Sequence, residues 1–162
     1  MRIDDIQQMF TYSYLATQRV LQTAARLTPA EFSEPPSILG AQSVQYTLVH
    51  MLDVEISWRK KLQSRLESSS DLLLPEQFPD VESLRVAWQA DQPVMTAWLT
   101  SLDEEALYSL LPNGRQMWLY LVHMMNHSTQ HRSEVAMILT SFGHSPGDLD
   151  FPLILRSAPT AN

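Results

Sequence analysis

One apolar stripe near the end of the chain constrains the fold most strongly. Its positions recur at alternating intervals of four and three residues, and six of the eight are apolar. This spacing keeps one face of a helix against its neighbours for about seven turns. The stripe consists of Met117, Leu121, Met124, Ser128, His131, Val135, Ile138 and Phe142. A long helix packed against other helices is therefore predicted.

Three further stretches have helical periodicity, and no convincing alternating strand pattern occurs. We predict helices over about 3–26, 43–66, 81–102 and 115–142. Gly143 provides a natural end for the last helix, whereas Pro93 predicts a kink or break inside the third. Thr28-Pro-Ala-Glu31 has the spacing of a capping box before a short turn. The chain is thus predicted to be all-α: one domain over 1–162 that forms an antiparallel four-helix bundle with short additional helical turns.

Composition excludes several classes of function. Eleven basic and eighteen acidic residues give a net charge of −7, which disfavours nucleic-acid binding. The basic cluster Arg59-Lys60-Lys61 with Arg65 is interpreted as the solvated side of a helix. No cysteine is present, so disulfides, thiolate metal ligands and a cysteine nucleophile are excluded. The Ser- and Pro-rich link from Ser68 to Pro79 is predicted to be an exposed loop.

We expect the protein to be located in the cytoplasm. No apolar run approaches the roughly 18 residues of a membrane span. The first five residues are already acidic and lack the apolar region of a signal peptide. We therefore expect no membrane partner.

Polar residues interrupt the apolar stripe in a single turn. Ser128 and His131 occupy adjacent stripe positions, Arg132 falls inside the apolar arc, and His127 lies at its edge, about 40° from His131. Buried without partners, such groups cost about 1–3 kcal/mol each. Two imidazoles at i and i+4 lie about 6 Å apart along the axis and can converge on one ion. His127 and His131 are therefore predicted to be metal ligands.

His50, at the margin of the apolar arc of the second helix, is the predicted third ligand. Three nitrogen ligands leave a coordination position open, as in catalytic metal sites. The alternative for His127 and His131 is chance spacing, or two core histidines with ordinary hydrogen bonds. His123 lies outside the arc and is interpreted as a surface residue or a neighbour of the ligands. His144 follows Gly143 and is interpreted as a C-terminal cap.

Two further charges fall where apolar residues are expected. Glu55 lies near the centre of the apolar arc of the second helix, and Arg132 has the matching position on the fourth. We expect the two to pair across the core close to the metal. Such a pair contributes little net stability but fixes the register of the helices that carry the histidines.

These residues give the chain a resemblance to the DinB family of metal-dependent proteins. Two stretches carry it: Thr47-Leu-Val-His-Met-Leu-Asp-Val-Glu-Ile-Ser-Trp58 and Leu121-Val-His-Met-Met-Asn-His-Ser-Thr-Gln-His-Arg132. The ending from Gly143 to Phe151 is also similar. The family commonly has Gly-Gln after the His-Arg pair, where this chain has Ser133 and Glu134.

The resemblance implies that His50, His127 and His131 are the ligands of Zn²⁺, Ni²⁺ or Fe²⁺. It implies a small-molecule enzyme, either a transferase or isomerase that uses a low-molecular-weight thiol, or a hydrolase. It also implies a homodimer. Glu134 is the candidate catalytic residue, as a hydrogen-bond partner of a metal-bound water; a solvated surface carboxylate is the alternative.

Two other functions are consistent with the sequence. In the first, the metal is structural or sensory, or serves an interaction surface, and the protein is not catalytic. In the second, the chain is a helical partner-binding domain without a metal. His-Glu-x-x-His, Glu-x-x-His, Gly-x-Ser-x-Gly and P-loop motifs are all missing, so a thermolysin-like protease, a di-iron carboxylate bundle, an α/β-hydrolase and a P-loop nucleoside triphosphatase have no support.

Overall fold

The structure is a computed structural model that describes residues 1–38, 40–67 and 72–156. Its long helices are α1 (Ile3–Ala24), α3 (Val44–Gln63), α4 (Val81–Thr100) and α6 (Met117–Ser141). Short helices form in the connections: α2 (Pro29–Ser33), α5 (Glu104–Tyr108) and α7 (Phe151–Arg156), with a 3₁₀ turn at Pro75–Gln77. No strand occurs within these ranges, so the all-α prediction is confirmed. The first four residues of the predicted loop from Ser68 lie outside the described residues.

The four long helices form the predicted bundle, in which each packs against two others. α1 and α3 each contact both α4 and α6. α1 and α4 are antiparallel: the side-chain amide of Gln7, near the start of α1, donates to the carbonyl of Leu99, near the end of α4 (3.3 Å). α3 and α6 are antiparallel as well. Near one end of this pair of helices, the ring of Trp58 on α3 lies against the ring of Tyr120 on α6, with centroids 4.9 Å apart.

α6 runs in the same direction as α1, and so α3 and α4 also share a direction. Arg132 of α6 donates to Ser13 of α1, and Arg19, further along α1, donates to the carbonyl of Asp148 beyond the end of α6. The connection from α3 to α4 must therefore return along the length of the bundle. It does so beside α3, where the side-chain amide of Gln45 donates to carbonyls at both ends of the 3₁₀ turn.

The core is built from stripes with the same alternating spacing as the one in the sequence of α6. Five of the six apolar stripe residues of α6 are buried, and Phe142 is half-buried. α1 contributes a matching stripe: Ile6, Phe10, Ser13, Thr17, Val20 and Ala24. A fully buried leucine, isoleucine or phenylalanine contributes about 1.5–3 kcal/mol. The apolar stripes therefore supply the main driving force for folding. None of the described helices is long and apolar enough to cross a membrane.

Of the kink or break predicted at Pro93, the break does not occur, because α4 continues through this residue. Proline removes the N–H that would bond the carbonyl of Gln89. Both residues lie on the exposed side of α4, where water can take the place of the missing donor. An exposed face thus tolerates a proline that a packed face would not.

The end of α6 confirms the role predicted for His144. Gly143 has a positive φ of 82°, and its N–H donates to the carbonyl of Thr140. The backbone N–H of His144 donates to the carbonyl of Leu139 at 2.8 Å. This pair of bonds is the Schellman motif, which satisfies carbonyls that the helix end leaves without donors. His144 therefore caps the helix through its backbone.

The interpretation of Arg59 as a solvated residue is wrong. Arg59 is only 6% exposed, and its guanidinium forms a salt bridge with Asp91 of α4, itself 8% exposed. Lys60 and Arg65 are exposed, and Lys61 lies over the Trp58 ring at 5.1 Å. Arg59 Nε and Asp91 Oδ2 are buried without a hydrogen-bond partner among the described residues. The pair links α3 to α4 but leaves two polar atoms unsatisfied.

We predict that Asp91→Ala destabilises the protein by about 3–5 kcal/mol, because it leaves the Arg59 charge buried and unpaired. The double variant Arg59→Met/Asp91→Leu removes both charges and the two unsatisfied atoms, and should recover most of that loss. Urea unfolding followed by circular dichroism measures both. A loss below 1 kcal/mol in Asp91→Ala, or a double variant as unstable as the single one, would contradict this account of the pair.

Candidate metal centre

The packing of α3 against α6 brings together the three histidines that the sequence singles out. His50 lies on α3, and His127 and His131 lie one turn apart on α6. Each offers a ring nitrogen, and these three atoms lie within 4.8 Å of one another. The ring centroids are 4.4 Å apart for the pair on α6, and 4.8 and 5.0 Å from His50 to His127 and His131. The cluster is half-buried, so its nitrogens are held in place yet remain reachable.

The closest approach in the cluster is between the Nε2 atoms of His127 and His50, at 3.0 Å. Two nitrogen ligands of one tetrahedral zinc, each about 2.1 Å from the ion, lie about 3.4 Å apart. The observed separation is therefore close to that of two ligands of a common ion. Small rotations of the side chains would reach it. The residues present thus fit a divalent metal.

Glu134 orients the third histidine. His131 Nδ1 lies 2.6 Å from Glu134 Oε2, and the side-chain amide of Gln130 donates to Oε1 at 3.0 Å. A proton on Nδ1 that is shared with the carboxylate leaves Nε2 of His131 with a free lone pair. Histidine ligands in metal sites commonly have such a carboxylate partner. Burial raises the pKa of Glu134, but the bonds from Gln130 and His131 outweigh it and hold the pKa below its ordinary value.

The histidines favour the neutral form that binds metals. Burial lowers the pKa of His127 to about 4, and the nearby His131, His50 and His123 add to the shift. Burial also lowers the pKa of His50, with a further contribution from His131. Nδ1 of His127 is buried and has no partner among the described residues. At neutral pH, His50 and His127 are therefore ready to act as ligands without losing a proton.

A cavity of about 240 Å³ opens beside the cluster. α3 and α6 form two of its walls, and the segment before α3 forms the third. Its described lining comprises Ile38, Gly40, Ala41, Gln42, Tyr46, Thr47, His50, His131, Glu134, Met137 and Ile138. Two of the three histidines thus face a space that can hold a small molecule. Sequence spacing did not identify Tyr46 or Met137 as parts of the site. Each has a partly exposed apolar side chain, and they lie one turn from His50 and from Glu134 respectively. This spacing is a usable signal.

His123 lies next to the cluster without belonging to it. Its side chain is exposed, and its ring centroid is 5.9 Å from that of His127 and 5.5 Å from the Trp58 ring. None of its atoms is in the group of three converging nitrogens. The interpretation of His123 as a surface neighbour of the ligands agrees with this position.

The predicted pairing of Glu55 with Arg132 is wrong. Both side chains are buried, at 2% and 1% exposure, but each bonds a neutral group instead. Tyr14 donates its hydroxyl to Glu55 at 2.5 Å, while Arg132 donates to Ser13 at 2.7 Å. α1 packs against α6 and carries these two hydroxyls within reach of the charged groups. The two charges interact only at longer range.

Arg132 has two further contacts that hold it in place. Its guanidinium donates to Thr129 at 3.0 Å and lies 5.2 Å from the centre of the Tyr12 ring. All of these partners are uncharged, so the positive charge stays buried on the α1 side of α6. Arg132 therefore does not face the histidine cluster, although it is the next residue after His131.

A bundle of four long helices with three converging histidines defines a class of helical proteins that could hold a metal ion. The model of the DinB family matches residues 3–162, which is essentially the whole chain. The chain belongs to the DinB family. No curated protein matches its sequence.

We predict that Glu55 makes the protein less stable as the pH rises. Burial raises the pKa of Glu55 to about 7 from an ordinary value of 4.5, so the folded state binds the proton more tightly than the unfolded state. The resulting stability is present below about pH 4.5 and is lost as the pH rises to about 7. Relative to Glu55→Gln, the wild type should lose on the order of 1–3 kcal/mol between pH 5 and pH 8.

The measurement is urea unfolding of the two proteins at matched pH, with metal removed. Taking the difference between them cancels the titration of the histidines, which has the opposite sign. A difference that does not change with pH would show that Glu55 is already ionised in the folded protein at pH 5.

Proposed function

We propose that this protein is a metal-dependent enzyme in which His50, His127 and His131 hold one divalent ion, Zn²⁺ or Ni²⁺, with Fe²⁺ as a further candidate. The observation that carries the proposal is the convergence of three imidazole nitrogens within 4.8 Å beside a cavity. Imidazole ligands suit all three ions. Three protein ligands leave a coordination position for water or for a substrate group, which is typical of catalytic sites.

The ion would supply Lewis acidity and lower the pKa of a water or thiol that reaches it. The chain itself supplies orientation. Glu134 holds His131 with Nε2 turned to the cluster. Glu134 is thus foremost a positioning residue that acts through His131. In a hydrolytic reaction it is also the candidate to accept a proton, because it lines the same cavity.

The proposed reaction is a thiol-dependent group transfer or a hydrolysis of a small molecule. Because the chain contains no cysteine, a sulfur nucleophile has to come from a separate thiol. Membership of the DinB family supports this choice of reactions. We also propose that the protein is a homodimer in the cytoplasm, which light scattering of the purified protein and fractionation of its cells would check.

Metal content tests the ligand set. We predict that protein purified without an affinity tag contains close to one equivalent of divalent metal, and that His50→Ala loses nearly all of it. His123→Ala is the matched control, because it removes an imidazole 5.9 Å from the ring of His127 that does not converge with the others. Elemental analysis measures all three proteins. Equal metal in the wild type and His50→Ala would remove His50 from the ligand set.

Metal removal separates an enzyme from a protein in which the metal is structural. We predict that the chelated protein stays folded, because the apolar stripes pack independently of the histidines. Its free energy of unfolding should fall only by the contribution of metal binding, which is about 4 kcal/mol when the metal concentration is a thousand times Kd. Circular dichroism and thermal unfolding before and after chelation measure this. Loss of the cooperative transition on chelation would favour the non-catalytic, structural role.

A further inference from the structure

We propose that the cavity beside the three histidines selects its occupant by charge: it accepts a neutral or ammonium-bearing small molecule and disfavours an anionic one, and Glu134 sets this preference. The inference rests on the proposed function, since it concerns the molecule that reaches the ion. It adds the class of that molecule, and it gives Glu134 a role in specificity besides its contact with His131.

The first observation is the composition of the cavity. Its described lining contains one carboxylate, Glu134, and no lysine or arginine. The remaining polar groups there, apart from the histidines, are the neutral side chains of Gln42, Thr47 and Tyr46. A carboxylate or phosphate placed in this cavity would find no cation of the protein to pair with. It would also lie near a charge of its own sign.

The second observation explains why the lining lacks cations. No lysine or arginine occurs between Arg26 and Arg59, which covers the segment before α3 and all of α3 that faces the cavity. α6 carries a single one, Arg132, whose guanidinium is bonded to Ser13 and Thr129 on the side facing α1. Arg59 is equally committed, to Asp91 of α4. Neither Arg132 nor Arg59 can therefore turn into the cavity without breaking buried contacts.

The third observation concerns the charge of Glu134 itself. Its two hydrogen-bond donors are the amide of Gln130 and the ring of His131, so neither Lys nor Arg neutralises it. Its side chain is 42% exposed and lines the cavity. At such a partly screened position, one unit of charge on a bound molecule changes its affinity by about three- to tenfold. An effect of this size can be measured, but only by comparing molecules that differ in charge and little else.

The fourth observation concerns shape. Ile38, Met137 and Ile138 give the cavity apolar walls, and the ring of Tyr46, 47% exposed, lies at its edge. An occupant with a short apolar body and a neutral or ammonium group near Glu134 matches both the walls and the charge. A polyanionic occupant would be attracted by the ion but would match neither the apolar walls nor the charge of Glu134.

A divalent ion attracts every anion, so the experiment keeps the group that binds the ion constant and varies the charge of the tail. The probes are three thiols whose tails coordinate metals weakly or not at all: thiocholine, 2-mercaptoethanol and 2-mercaptoethanesulfonate. Each is titrated into the Co²⁺-loaded protein at matched thiolate concentration, and sulfur-to-cobalt charge-transfer absorption reports binding. We expect affinity to fall from thiocholine to 2-mercaptoethanol to 2-mercaptoethanesulfonate, by about three- to tenfold per unit of charge.

Glu134→Gln is the decisive variant, because the amide keeps the shape and can still accept a bond from His131. In this variant, the affinities of the three thiols should differ by less than twofold at saturating Co²⁺. Glu105→Gln is the matched control: it removes one exposed carboxylate from α5, outside the described lining, and changes the net charge equally. The order of affinities should persist in this control.

Three results would overturn the inference alone: 2-mercaptoethanesulfonate binding as tightly as thiocholine, an unchanged order in Glu134→Gln, or an equal loss of order in Glu105→Gln. A protein that takes up no Co²⁺ would contradict the proposed metal site and the inference together. Co²⁺ uptake without a charge-transfer band from any thiol would contradict the thiol reaction and, with it, the inference.

Discussion

The antiparallel packing of α3 against α6 is the constraint on which the histidine cluster depends. Toward one end of this contact the rings of Trp58 and Tyr120 stack at 4.9 Å, and further along it His50 meets the two histidines of α6. A helix advances about 1.5 Å per residue, so a slip of one turn, about 5.4 Å, would separate His50 from both. The contacts that set this register therefore also set the geometry of the site.

Each of three buried ionisable side chains in the bundle bonds a partner on a neighbouring helix. Glu55 bonds Tyr14, Arg132 bonds Ser13, and Arg59 forms a salt bridge with Asp91. Each of these contacts joins two different long helices, and together they link α1 to α3, α1 to α6 and α3 to α4. Apolar stripes alone permit neighbouring helices to slide by a turn, because every turn looks alike. Polar contacts at fixed heights remove that freedom, at the cost of burying charge.

Much of this architecture could be predicted from the sequence, and the errors have definite causes. The stripe of α6 revealed both the helix and its interruption at His131, because periodicity depends only on residues of one helix. The periodicity of α3 likewise indicates that Glu55 is buried. It cannot identify the hydrogen-bond partner of Glu55, because that depends on how α1 packs. Asp91 was missed although it continues the stripe of Leu84, Trp88, Met95 and Trp98 on α4. Arg59 was misjudged because its neighbours Lys60 and Lys61 suggested a solvated face.

The step of 100° between successive residues of a helix accounts for the charge pattern around the histidine cluster. His131 and Arg132 are adjacent in sequence, yet that rotation directs the imidazole toward α3 and the guanidinium toward α1. The helix thus keeps a permanent cation one residue away from the cluster without placing it in the cavity. Glu134, three residues beyond His131, returns to the same face and bonds it. One turn of α6 therefore separates the two signs of charge, and the cavity receives the negative one.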